Sequence, residues 1–207
     1  PPVVPTDPIQ VDLSPTDTPL PAATEASVPA SPEVQLGQYN NEGIRFIYDP
    51  SLAGFIETET LSAQTGDDLP PWELYPEHKV LSLLGYPLSG TFHEPKIIIY
   101  PAQDYQAINP AIGDQVANLQ QMLIGRRTDF LPDTLPFFTL WNAGQVISSQ
   151  IKFLDFKNGA GVRYLTQYGQ GVYPIDNQLL FYTFQGITSD KNWLISAILP
   201  VKHAVRP

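Results

Sequence analysis

Three histidines, His78, His93 and His203, are the side chains of this chain best suited to acid–base or metal chemistry near neutral pH. Their spacing is irregular. None stands in an HxxxH or HExxH arrangement, so no helix face would present two of them to one metal ion. His78 and His93 share the stretch 64–95 with Asp67, Asp68, Glu73, Glu77 and Glu94. A loop-borne cluster of His and carboxylates is one reading of that grouping. Solvated loop polar groups are the other, and the usual exposure of these residue types favours it. With no cysteine in the chain, disulfides, thiolate metal sites and cysteine nucleophiles drop out. A serine nucleophile lacks its setting, since no GxSxG occurs and Ser89-Gly90 merely precede His93 in sequence. Glu57 and Glu59 share one strand face, which suits a carboxylate pair and suits a water-facing strand equally well. Gly159-Ala160-Gly161 and Gly169-Gln170-Gly171 lack the strand, glycine loop and helix order that aims amides at a phosphate, and read as turns. The residues therefore assign no catalytic group, no metal ligand and no cofactor.

Recognition chemistry has more to stand on. Trp72, Tyr75, Tyr86, Phe92 and Tyr100 gather in or beside the same stretch, and Trp and Tyr are enriched at recognition surfaces. Trp72, Tyr75, His78, Tyr86 and His93 form the candidate binding set, with burial as a small core under the loop as the competing reading. Asp67, Asp68, Pro70, Pro71, Pro76, Pro87 and Gly90 interrupt any periodicity over 64–95, so that stretch reads as a long functional loop.

The elements that must position these residues are mostly strands. Val162, Tyr164, Thr166 and Tyr168 recur at every second position, as do Leu180, Tyr182 and Phe184, and then Trp193, Ile195, Ala197 and Leu199. Gly186–Asn192 reads as the turn between the last two runs. Ile147–Phe156 is a further β-rich run, and Lys157-Asn158-Gly159 supplies residues for a tight reversal with positive φ. Ile44–Tyr48 and Phe55–Leu61 suggest an early hairpin closed at Asp49-Pro50-Ser51, and Lys96–Tyr100 is a short apolar strand between two prolines. One helix is expected over 110–124, capped by Asn109, with Pro110 first and an apolar stripe of Ile112, Val116, Leu119 and Leu123. Arg126 and Arg127 suit the negative end of its dipole. Residues 128–143 read as a connection whose Phe137, Phe138 and Trp141 pack over the edge of the core.

The chain has 207 residues, 43% of them hydrophobic, enough for one domain with a real core. Nine of its 22 prolines and five carboxylates fall in residues 1–40, which hold no Lys or Arg. That segment is expected to be a disordered, polyproline-biased acidic tether, with a single α+β domain over 41–207. A net charge of -10 argues against a nucleic-acid partner and against an anionic membrane surface. A chain opening on Pro-Pro-Val-Val reads as a processed form.

Tyr164-Leu165-Thr166-Gln167-Tyr168-Gly169-Gln170 and Leu180-Phe181-Tyr182-Thr183-Phe184-Gln185-Gly186-Ile187-Thr188-Ser189-Asp190 resemble uncharacterised exported bacterial proteins of predicted-lipoprotein type. That resemblance implies an extracytoplasmic place, at the cell surface or in the periplasm, behind a signal peptide. Membrane attachment would come only through a lipid anchor outside this chain, and no activity is implied. In layout the chain is also similar to the Mog1/PsbP type of α/β/α sandwich, in which a helix often follows the last strand. Residues and resemblance together give the expectation of an α+β domain on an antiparallel, meander-rich sheet. It would act as a tethered binding or scaffold module for a protein or cell-envelope ligand. The rival is a hydrolase with its site in 64–95.

Overall fold

The computed structural model describes residues 35–128, 135–171 and 174–203. The tether assigned to 1–40 therefore lies outside the described residues up to 34. Its last residues do not fit the assignment, because β1 (Gly37–Asn41) is already a strand paired with β2 (Ile44–Tyr48). Glu42 and Gly43 join them with φ of 48° and 81°, the two positive φ values that a two-residue primed turn requires. The expected hairpin of Ile44–Tyr48 with Phe55–Leu61 does not form. The second run is β3 (Phe55–Leu61), which pairs instead with β4 (His78–Leu84).

β4 is the main correction to the sequence reading, since it runs through the middle of the supposed 64–95 loop. Pro76 and Pro87 bracket it without interrupting it, and Val80, Leu81 and Leu83 are buried. β5 (Lys96–Pro101) follows, then α1 (Ala102–Ile108), which the sequence pattern did not reveal, and α2 (Pro110–Gly125). β6 (Gly144–Phe156), β7 (Gly159–Gly169), β8 (Phe181–Thr188) and β9 (Trp193–Pro200) complete the meander. Among the described residues the main sheet runs β3-β4-β5-β9-β8-β7-β6, and every neighbouring pair is antiparallel. The fold is α+β.

The turns differ in detail from expectation. β6 and β7 reverse at Lys157-Asn158 without positive φ, and Gly159 and Gly161 belong to β7 rather than to a turn. A Cβ on Gly161 would sit 2.4 Å from the Gln185 carbonyl oxygen and 2.5 Å from the Phe184 ring, so glycine there lets that ring lie on the sheet. β8 continues through Thr188, which confines the last turn to 189–192. There Asp190 accepts from the Thr188 hydroxyl and the Asn192 amide.

Both helices cover the same sheet face, giving two layers. Ile112, Val116 and Leu119 of α2 and Ala102 and Tyr105 of α1 pack with Val80, Ile98, Tyr100, Val162, Tyr164, Ile187 and Leu194. Asn109 caps α2 by accepting from the Ala111 amide, as its position implied. On β8 and β9 the register places the covered face at Thr183, Gln185, Ser196 and Ile198, not at the more hydrophobic stripes of Tyr182, Phe184, Ile195 and Leu199. Thr183, Gln185 and Ser196 are wholly buried on that face. The opposite face meets the β1–β2 hairpin through Tyr39 with Thr58 and through a Glu42–Lys79 ion pair.

Candidate functional site

Residues 135–141 run across the helix-covered face without regular structure, so their backbone groups need partners from elsewhere. Three glutamines on three elements supply acceptors. Gln145 takes the Leu135 amide at 3.1 Å, Gln115 the Phe137 amide at 3.0 Å and Gln185 the Phe138 amide at 2.8 Å. Two buried tyrosines supply donors, Tyr164 to the Pro136 carbonyl at 2.7 Å and Tyr105 to the Phe138 carbonyl at 2.8 Å. Thr139 donates to Ser196 at 2.9 Å, and Ser196 accepts in turn from Gln185. The buried polar side chains of β8 and β9 thus hold this connection in place.

Trp141 ends the connection. Its indole stacks on the His93 ring at 4.6 Å and 3°, and meets Phe137, Tyr168 and Phe181 edge-on. Burial first, and the nearby Lys96 charge second, push His93 down to about 4 against a smaller opposing effect of the Leu179 backbone. His93 is therefore neutral at physiological pH, which suits a ring lying flat on an indole. Its Nε2 is buried and has no partner among the described residues.

Trp72 reaches the same region from a turn of 3-10 helix at Pro71–Glu73. Asn109 anchors that turn, its Nδ2 donating to the Pro71 carbonyl at 2.6 Å and to the Leu74 carbonyl at 3.2 Å. One fully buried asparagine thus caps α2 and fixes the Trp72 segment. Gln64 and Tyr75 close the segment from the other side with a two-bond backbone bridge, reinforced by a 2.7 Å bond from the Tyr75 hydroxyl to the Gln64 carboxamide.

A groove of about 800 Å³ lies between these pieces. Trp72, Trp141, Asn142, Gln145 and Gln170 line it, together with three glycines at the end of the β6–β7 ladder. The described lining contains no Asp, Glu, Lys, Arg or His. Gln145 is occupied, accepting from Leu135 and donating to the Tyr168 hydroxyl. Gln170 donates through Nε2 to the Asn142 carbonyl, and its Oε1 has no partner among the described residues. The Asn142 carboxamide, exposed, likewise has none.

Of the five candidate residues, only Trp72 lines this groove. Tyr75 packs into the main core and against His78 at 5.1 Å. His78 is buried between Tyr75 and Tyr100, with Nδ1 2.8 Å from the Pro76 carbonyl, and burial lowers its pKa. Tyr86 donates to the Pro200 carbonyl at 2.8 Å, and burial raises its pKa. His93 stands behind Trp141 as its support. The two histidines lie near opposite ends of β5, where Lys96 and Tyr100 are roughly 14 Å apart along the strand. Among the described residues no three His, Asp or Glu side chains gather to hold a metal ion. Sequence reasoning placed Trp141 as packing only, and the carboxamides beside it carry no motif. The one available signal was the density of Trp, Asn, Gly and Gln over 141–145.

Neither a family model, a curated protein nor a solved structure matches this chain.

Proposed function

We propose that the chain is a non-catalytic binding module whose ligand site is the Trp72–Trp141 groove, and that it acts in an extracytoplasmic setting with its proline-rich start as a tether. The observation that carries the reading is the investment of buried polar groups in holding an irregular segment that ends in Trp141. Glutamine, tyrosine and serine side chains are spent on positioning a single aromatic platform, which is how a preformed recognition site is built. The rival hydrolase reading has less support, because among the described residues His78 and His93 have separate aromatic neighbours and do not converge on one site.

Amide chemical-shift mapping tests this. A panel of neutral oligosaccharides, short peptides and nucleotides is added to the labelled chain. At least one class is expected to shift the amides of 71–73, 141–145 and 169–171, with every probe recovered unchanged. Shifts confined to other surfaces, or consumption of a probe, would remove the proposal.

A further inference from the structure

We infer that the occupant of this groove is a neutral oligosaccharide, a chain of pyranose rings laid on Trp72 and hydrogen-bonded by Asn142 and Gln170. The inference rests on the groove being the binding site and adds the ligand's chemistry.

Charge comes first. The protein carries a net charge of -10, yet the described lining has no ionisable side chain. An anionic ligand would meet long-range repulsion with no local cation to offset it, and a cationic one would find no carboxylate to pair with. A neutral ligand meets neither difficulty.

Hydrogen-bonding capacity comes second. The Asn142 carboxamide offers a donor and an acceptor, and the Gln170 Oε1 offers an acceptor that no described residue fills. A ligand that matches both must donate as well as accept. Sugar hydroxyls do both at once. A proline-rich peptide, the other common occupant of an aromatic groove, presents carbonyl acceptors and few donors, because proline has no N–H. It would leave Gln170 unmatched.

Shape comes third. Trp72 is 39% exposed and has no ring packed on it among the described residues, so its indole offers a platform to the C–H face of a ring. The three lining glycines carry no side chains to hold a ring away from the backbone. The volume, about 800 Å³, lies inside the range of small-ligand sites and exceeds what one monosaccharide fills.

The test uses the three tryptophans of the chain, two of which line the groove. The full chain is titrated with cello-, malto-, xylo- and chito-oligosaccharides while tryptophan emission is followed. At least one series is expected to give a saturable change, stronger for longer chains and insensitive to NaCl between about 0.05 and 0.5 M, since no charge is involved. Trp72→Ala should weaken binding by about tenfold or more, and Asn142→Ala by a smaller factor of about threefold. Trp141→Phe, which keeps an aromatic ring against His93, should weaken it without unfolding the chain. Trp193→Phe, outside the groove, should leave affinity unchanged. If all four series fail and a peptide of residues 1–34 binds with the same Trp72 dependence, the carbohydrate assignment is refuted while the groove remains the site. If neither kind of probe shifts the groove amides, both readings fall together.

Discussion

Trp141 and Trp72 reach one groove on segments built in contrasting ways. Residues 135–141 donate hydrogen bonds to β6, α2 and β8 and accept one from β7, and Trp141 itself rests on four aromatic side chains. Residues 71–74 are held by one side chain, that of Asn109, and by the Gln64–Tyr75 bridge beyond them, and among the described residues no aromatic ring packs on Trp72. An irregular segment has no ladder of its own, so its rigidity equals the number of outside partners it recruits. The difference gives the groove a fixed side and an adjustable side, an arrangement that orients a ligand on one platform and lets the other settle onto it.

The largest effect expected from breaking this contrast is on the fixed side. Gln185→Ala removes the acceptor of the Phe138 amide and the donor to Thr183 and Ser196, and opens a cavity under a fully buried position. It should destabilise the chain by about 3–5 kcal/mol. Urea melts measure it, and a loss under about 1 kcal/mol would mean the connection is held by something else.

Asn109→Ala comes next, with an expected loss of about 2–3 kcal/mol from the cap and the two bonds to the Trp72 segment. Its signature is spatial. Amide exchange should quicken over 71–75 and at the start of α2 while 137–139 stays protected. Equal loosening of both segments would erase the distinction between the two sides. Gln115→Ala removes one part-buried acceptor from the fixed side, whose other partners remain, and should cost only about 1 kcal/mol.

The same contrast explains what could be read in the sequence. Period-two alternation exposed β7 to β9, a β-rich run exposed β6, and the Asn109-Pro110 cap exposed α2, because those signals are local. The covered face of β8 and β9 was hidden, because Thr183, Gln185 and Ser196 look solvent-facing until residues 137–139 arrive to bond with them. β4 was masked by its surroundings: His78–Leu84 is uninterrupted, yet prolines on either side made the whole stretch look like a loop. Trp72 could be singled out as an aromatic in a polar stretch. Its counterpart could not, since Trp141 becomes part of a site only when β6 and β7 bring Gln145 and Gln170 beside it.

The smallest effect is conditional and appears only in acid, where the fixed side should weaken first. His93 has its pKa lowered from the ordinary 6.5 to about 4, chiefly by burial against Trp141 and Phe181. Above pH 6.5 the ring is neutral in both the folded and unfolded chain and adds no pH dependence. Between 6.5 and about 4 the unfolded chain binds a proton that the folded chain refuses, so stability falls as pH falls through that window. Below about 4 both states are protonated and this contribution stops changing. His78, also lowered by burial, acts in the same direction and stays in place as an internal reference. His93→Phe keeps an aromatic ring under Trp141 but cannot titrate. Its melting temperature should therefore drop less than that of the parent chain between pH 7.5 and 4.5, by a margin of about a few degrees. Identical drops would show that His93 protonates without disturbing the stack. Trp141 would then owe its position to the glutamine-bonded connection and to Phe137, Tyr168 and Phe181, and acid would leave the contrast between the two sides intact.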